Sequence, residues 1–215
     1  HLLLSGSADT TIKVWDIDKR KEIKTLTGHE DGVLSVAFSP NGQFALSGSR
    51  DKTAKLWDIH TGRELYSFTG HNREVWSVAF SPDGRIAASG DGEGIIYLWD
   101  VSIDKEPFPF KGHSSAVNSV ALSNDGRLIV SGSSDTTIKL WDVVTGYVLH
   151  TFEGHKARVN SVALSSDNRW IISASDDKTM KLWDLAHGYE VYSFDNFTGV
   201  VKSVAFSPNS QYILG

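Results

Sequence analysis

Residues 131–142 read Ser-Gly-Ser-Ser-Asp-Thr-Thr-Ile-Lys-Leu-Trp-Asp. The motif returns at 173–184 as Ser-Ala-Ser-Asp-Asp-Lys-Thr-Met-Lys-Leu-Trp-Asp and stands earlier at 47–58 as Ser-Gly-Ser-Arg-Asp-Lys-Thr-Ala-Lys-Leu-Trp-Asp. Working outward, Trp-Asp pairs begin at Trp15, Trp57, Trp99, Trp141 and Trp183, each 42 residues after the last. Gly-His pairs keep the same interval at Gly28, Gly70, Gly112 and Gly154, and Asn196-Phe197 takes the fifth place. Val-x-Ser-Val begins at Val33, Val75, Val117, Val159 and Val201. A fixed period of this length is the signature of a repeat architecture. The units are 1–42, 43–84, 85–126, 127–168 and 169–210, with 211–215 opening a sixth, and 43–84 and 127–168 are identical at about half of their positions.

Inside one unit the apolar runs are short. Residues 53–59, 64–68, 75–80 and 85–89 are rich in β-branched and aromatic types and separated by turn residues such as Thr61-Gly62 and Pro82-Asp83-Gly84. They predict antiparallel strands with tight reversals and no helix. The strands are apolar at most positions, so both faces of each small sheet are expected to be covered by neighbouring sheets.

Composition narrows the function classes. The 215 residues hold no cysteine, which excludes a disulfide framework, a thiolate metal site and a thiol nucleophile. With 21 basic and 26 acidic residues the net charge is −5, and no basic cluster of the kind that binds nucleic acid or an acidic membrane is present. No apolar run approaches a membrane span. The histidines show no metal-ligand spacing. The expected compartment is the cytoplasm, with no metal, no cofactor, no nucleic acid and no membrane as partner. Asn196-Phe197-Thr198 is a formal glycosylation sequon, which carries little without a secretory signal.

The Gly-His, Ser-Gly-Ser, Asp-x-Thr and Trp-Asp elements at these spacings resemble the WD-repeat family along the whole chain, and the similarity between units resembles the amplified arrays of bacterial members. The resemblance implies an all-β propeller of four-stranded antiparallel blades. In each, strand a begins at Val-x-Ser-Val and strand d ends before Gly-His, so a numbered unit runs b, c, d and then a of the next blade. Pro107 and Pro109 suit an exposed edge strand such as d.

Ser, His and Asp invite a catalytic reading, but they recur from unit to unit, whereas an active site is needed once. His29, Ser47, Asp51 and Trp57 match His113, Ser131, Asp135 and Trp141, and again His155, Ser173, Asp177 and Trp183. The resemblance implies that each quartet is a hydrogen-bonded structural tetrad. Unit three departs, carrying Glu93 at the turn-aspartate position in Gly90-Asp91-Gly92-Glu93-Gly94. This reads as a weakened turn that places the tetrad of His71, Ser89 and Trp99 in question. Lys13, Lys55, Lys139 and Lys181 recur in strand c with Tyr97 in the third unit, and are expected to bury their stems with the ammonium at the rim. Trp170, aligned with Leu2, Phe44, Ile86, Leu128 and Tyr212, is expected in the core.

In the family the top face around the channel is commonly the recognition surface, supplied by three positions per unit. The x of Val-x-Ser-Val carries over to Leu34, Trp76, Asn118, Asn160 and Lys202; the residue two before it to Gly32, Glu74, Ala116, Arg158 and Val200; and the residue before the turn aspartate to Ala8, Arg50, Gly92, Ser134 and Asp176. These vary while their neighbours stay fixed. Trp76 is the sharpest candidate, with Arg50, Glu74, Asn118, Arg158, Asn160, Asp176 and Lys202 around it, since Trp and Arg dominate interface hot spots. The expected function is a non-catalytic scaffold for a protein or peptide partner. The alternative is a sensor or autoinhibitory region of a larger signalling protein, such as a kinase or NTPase. A propeller enzyme would need a polar cluster that breaks the repeat, and Glu74, Trp76 and Arg158 lack a nucleophile or a base with a partner.

The chain opens and stops in the same phase of the repeat. A closed five-blade ring would set Phe197 beside Ser5, Asp9 and Trp15, a tetrad lacking its histidine. The expectation is therefore a window on an array of about seven blades or more, self-associating only where open blades pair between chains.

Overall fold

The computed structural model describes residues 1–101 and 107–215. The described residues form strands and turns without a helix. In chain order the strands are β1 (Leu2–Gly6), β2 (Ile12–Asp16), β3 (Lys21–Leu26), β4 (Val33–Phe38), β5 (Phe44–Ser49), β6 (Ala54–Asp58) and β7 (Glu64–Phe68). They continue with β8 (Val75–Phe80), β9 (Ile86–Asp91), β10 (Ile95–Asp100), β11 (Phe108–Lys111), β12 (Val117–Leu122), β13 (Leu128–Ser133), β14 (Ile138–Asp142) and β15 (Val148–Phe152). The last are β16 (Val159–Leu164), β17 (Trp170–Ser175), β18 (Met180–Asp184), β19 (Glu190–Phe194), β20 (Ala205–Phe206) and β21 (Ile213–Leu214).

These pair as sequential meanders: β1–β3, then the four-stranded sheets β4–β7, β8–β11, β12–β15 and β16–β19, then β20 with β21. Each four-stranded sheet starts at Val-x-Ser-Val, so the repeat is a propeller-type blade read one strand out of phase. Pro109 lies on β11, the outermost strand of its sheet, where a missing N–H costs no ladder bond. The chain divides into two compact units, His1–Gly92 with Tyr97–Phe108, and Glu93–Ile96 with Pro109–Gly215.

Within each unit the core lies between consecutive blades. In the first, Leu46, Leu56 and Phe68 of one blade meet Val75, Val78 and Trp99 of the next. In the second, Val130, Leu140 and Phe152 meet Val159, Val162 and Trp183. Phe68 and Trp99 bring their ring centroids to 4.8 Å, and Phe152 and Trp183 to 5.7 Å. One further bond repeats at this junction: the serine hydroxyl of Val-x-Ser-Val accepts the amide of the next blade's second valine. The distances are 3.1 Å for Ser35 with Val78, 3.1 Å for Ser119 with Val162 and 3.3 Å for Ser161 with Val204. Strand b must approach closely for this packing. A methyl group at Gly48 would stand 2.7 Å from Val75 Cγ1 and 3.0 Å from the Val75 carbonyl oxygen, so a side chain there requires Val75 to shift; the fifth blade carries the smallest one, Ala174, at the equivalent place.

Two expectations are corrected. Trp170 is half-buried, not core, because it starts strand b at the end of the blade, and the Arg169 guanidinium lies 5.4 Å from its ring centroid. The strand-c lysines do not hold their ammonium groups free at a rim. Lys55 donates to Glu64 and Ser67 of β7 at 3.0 and 3.1 Å, and Lys181 to Glu190 and Ser193 of β19 at 2.8 and 3.3 Å, tying strand c to strand d.

Candidate interaction surface

Each blade presents two sets of residues at the end where strand a begins: an inner set that closes the blade on itself and an outer set that projects. The inner set is directional. Indole N–H can only donate, so Trp57 Nε1 donates to Ser47 Oγ at 2.8 Å, the serine donates to His29 Nε2 at 2.7 Å, and His29 Nδ1–H donates to Asp51 at 2.6 Å. The carboxylate also takes the Thr53 hydroxyl and the amides of Glu30 and Thr53. The same chain links Trp141, Ser131, His113 and Asp135, and again Trp183, Ser173, His155 and Asp177.

Two of the imidazoles are pushed toward the neutral form. Burial lowers the His29 and His155 pKa from 6.5 against the opposing pull of Asp51 and Asp177. For Asp177, burial alone would raise the carboxyl, but bonds from Thr179, the Lys156 amide and His155 outweigh it and hold it at about 2. Ser-His-Asp connectivity of this kind serves nucleophilic catalysis elsewhere. Here Ser47, Ser131 and Ser173 are fully buried, each capped by an indole N–H, and no substrate atom can reach the hydroxyl. Among the described residues no group of three or more His, Cys, Asp or Glu is placed to hold a metal.

The third blade completes its tetrad by a different route. Its carboxylate is Asp91, two residues ahead of the expected position, with His71 Nδ1 at 2.8 Å; Ser89 bridges His71 Nε2 and Trp99 Nε1, each at 2.7 Å. Asp91 ends strand b, where the other blades carry Ser49, Ser133 and Ser175, so its side chain points inward from the strand instead of from the turn. His71 and Asp91 are both fully buried at the side chain. The turn is not weakened at this contact. The glycine run matters at Gly94, which holds φ +89°, where Lys52, Thr136 and Lys178 hold +69°, +74° and +69°.

The outer set is re-aimed by a β-bulge. Pairing of strand a with strand b slips between Val33 and Ser35, Val75 and Ser77, Val117 and Ser119, and Val159 and Ser161. The bulged residues are Leu34, Trp76, Asn118 and Asn160. A bulge leaves its extra residue unpaired and turns it out of the ladder, which is why the x position varies while the residues around it do not.

The structure brings some candidate residues together and sets others to internal work. Asn118 and Asn160 donate to the carbonyls of Val159 and Val201 in the next blade, each at 2.8 Å, so both act as inter-blade clamps. Asp176 gathers Arg158, Asn160 and Lys202 into one cluster, with Arg158 and Lys202 more than half exposed. Burial would raise the Asp176 carboxyl, yet the bonds from Lys202, Asn160 and Arg158 hold it at about 2. On the first unit Trp76 is 39% exposed beside Glu74 and Gly92, and Arg50 is exposed.

Comparison with known proteins bears on this arrangement directly. The family model described as "WD domain, G-beta repeat" matches residues 1–16, 20–58, 62–100, 105–142 and 146–184. The chain belongs to the WD-repeat family. Similar relatives include the F-box-like/WD repeat-containing protein TBL1X of Mus musculus, 46% identical over 43 residues, 20% of this chain and 8% of that protein. The nuclear distribution protein PAC1 of Mycosarcoma maydis is 46% identical over 46 residues, 21% of this chain and 10% of the relative. A guanine nucleotide-binding protein subunit beta of Zea mays is 46% identical over 43 residues, 20% and 11% of the two chains. Each match is about one repeat long and spans about a tenth of the curated relative. WD-repeat proteins are generally non-catalytic and bind proteins or peptides.

Proposed function

We propose that this chain is a non-catalytic interaction scaffold that engages a protein or peptide partner through the strand-a ends of its blades. The observation that carries the reading is the bulge. The fold spends its constant residues on tetrads and inter-blade bonds and leaves a variable residue out of the ladder at each bulge, exposed at Trp76 and half-buried at Leu34, Asn118 and Asn160. On the first unit the contact residues are Arg50, Glu74 and Trp76; on the second they are Arg158, Asp176 and Lys202, with Asn118 and Asn160 bracing them. Trp76, Asn118 and Asn160 stand on strands, while Arg50, Glu74, Arg158, Asp176 and Lys202 stand on the short segments beside them; the less these side chains must order, the less entropy opposes binding. An exposed indole and arginine are the side chains that most often dominate such interfaces.

The test is affinity capture from lysate with the wild-type chain, a Trp76→Ala/Arg158→Glu variant, and a Tyr147→Ala control at a 73%-exposed residue of the c–d turn. The reading expects proteins held by wild type and control to be lost from the double variant with its melting temperature unchanged. Identical recovery from all three would refute it.

A further inference from the structure

The repeat supplies its own control for the third blade. In the fifth blade Arg158, Asn160 and Asp176 form one hydrogen-bonded group, and the Asp176 amide donates to the Arg158 carbonyl at 3.1 Å. In the third blade the corresponding residues are Glu74, Trp76 and Gly92, and the matching backbone bond from Gly92 to Glu74 is 3.0 Å. The backbone is the same, but the central side chain is missing and the flanking charge is reversed. A methyl group at Gly92 would stand 3.1 Å from Arg73 Cβ, 3.1 Å from Glu74 Oε2 and 3.5 Å from Trp76 Nε1, so the carboxylate and the indole N–H border the space the glycine leaves, with the root of the Arg73 side chain on its other side. Among the described residues no hydrogen bond or ion pair engages either group. Glu74 is half-buried and Trp76 exposed.

We infer that this notch binds an arginine side chain of the partner, a reading that rests on the interaction surface proposed above and names its occupant. The guanidinium fork matches a carboxylate. The exposed indole beside Glu74 offers apolar surface to the arginine stem. The Trp76 N–H is left to donate to a carbonyl of the peptide that carries the arginine. An acidic side chain would meet Glu74 with like charge, and an aliphatic one would cover the half-buried carboxylate without giving it a partner.

The probe is the tripeptide Ac-Gly-Arg-Gly-NH2, read by the ¹H–¹⁵N cross-peak of the Trp76 indole, which is assigned by its loss in Trp76→Phe. The notch expects a saturable shift with arginine and none when citrulline or glutamate replaces it. Glu74→Gln should weaken binding about tenfold, the worth of one charge-assisted bond. Gly92→Lys, at a position that carries arginine, serine or aspartate in other blades, should fill the notch from within and abolish the shift while the other cross-peaks stay in place. No shift with arginine, an equal shift with citrulline, or undiminished binding in Glu74→Gln would each overturn the inference. The two readings fail separately: if the tripeptide is silent but Trp76→Ala/Arg158→Glu still loses captured proteins, the surface stands and the arginine notch falls.

Discussion

The substituted tetrad of the third blade gives the sharpest test of the fold's chemistry. Asp91→Ala removes the acceptor of a fully buried imidazole N–H, with the His71 and Asp91 side chains both at 0% exposure and 2.8 Å apart. Stranding a buried donor costs about 1–3 kcal/mol, and the void left by a carboxylate adds to it, so about 2–3 kcal/mol is expected. For a chain of this length that is a fall of about 5–10 °C in melting temperature. Glu93→Ala, at the exposed position where the repeat carries its aspartate elsewhere, should cost less than about 1 kcal/mol. Asp91→Ser combined with Glu93→Asp rebuilds the arrangement of the other blades and should recover most of the loss. Thermal unfolding by circular dichroism measures all three. Hydrogen exchange of the Trp99 indole, which donates to Ser89 at 2.7 Å, reports the tetrad locally. If Asp91→Ala melts with the wild type, or if Glu93→Ala is the costlier change, the assignment of the carboxylate is wrong.

Other outcomes follow from the same geometry. Gly94→Ala must hold φ +89° with a methyl group 2.6 Å from the Ser115 carbonyl oxygen, and should cost about 2–4 kcal/mol in denaturant titration. Lys178→Gly, at φ +69°, relieves the same backbone strain and should raise stability by about 0.5–1 kcal/mol. Asn160→Ala loses the bonds to Asp176 and Val201 and should lower the melting temperature by about 2–6 °C, the equivalent of about 1–1.5 kcal/mol. Stability should also depend on pH in two stages. His29 and His155 have folded pKa values below 6.5, so the unfolded chain binds more protons and stability is lost as pH falls below 6.5. Asp177 is held at about 2 against an ordinary 3.8, so its contribution is full above 3.8 and disappears as pH falls towards 2. A melting temperature flat between pH 7 and 5 would contradict the first stage.

The blades were legible because their core and tetrad residues repeat at one interval, and any residue needed in every blade announces itself. What escaped the sequence depends on main-chain register or on depth within the blade. The bulge at Trp76 follows from how strand a pairs with strand b, which no residue type encodes. The role of Asp91 was hidden because strand b and the turn reach the same imidazole from positions two residues apart. Trp170 looked like core because its neighbours in the alignment are apolar, yet they sit at the open end of strand b, where Phe44, Ile86 and Leu128 are also only half-buried. Asn118 and Asn160 varied like contact residues while serving as clamps, since leucine, tryptophan or lysine at the same position forgoes that bond.

The bonds between blades have a consequence for how such a chain changes length. Ser35 meets Val78, Ser119 meets Val162 and Ser161 meets Val204, each pair 43 residues apart, and within each unit the apolar cores join adjacent blades. A blade recognises its neighbour by chemistry that every other blade also carries. Duplicating or deleting one 42-residue segment in register therefore keeps the serine, valine and tryptophan contacts at the new junction, and only the asparagine clamp differs from joint to joint. Recombination between repeats can lengthen or shorten such an array while each surviving blade keeps its own bulged residue, so the proposed recognition surface can be reshuffled blade by blade with most of each joint retained.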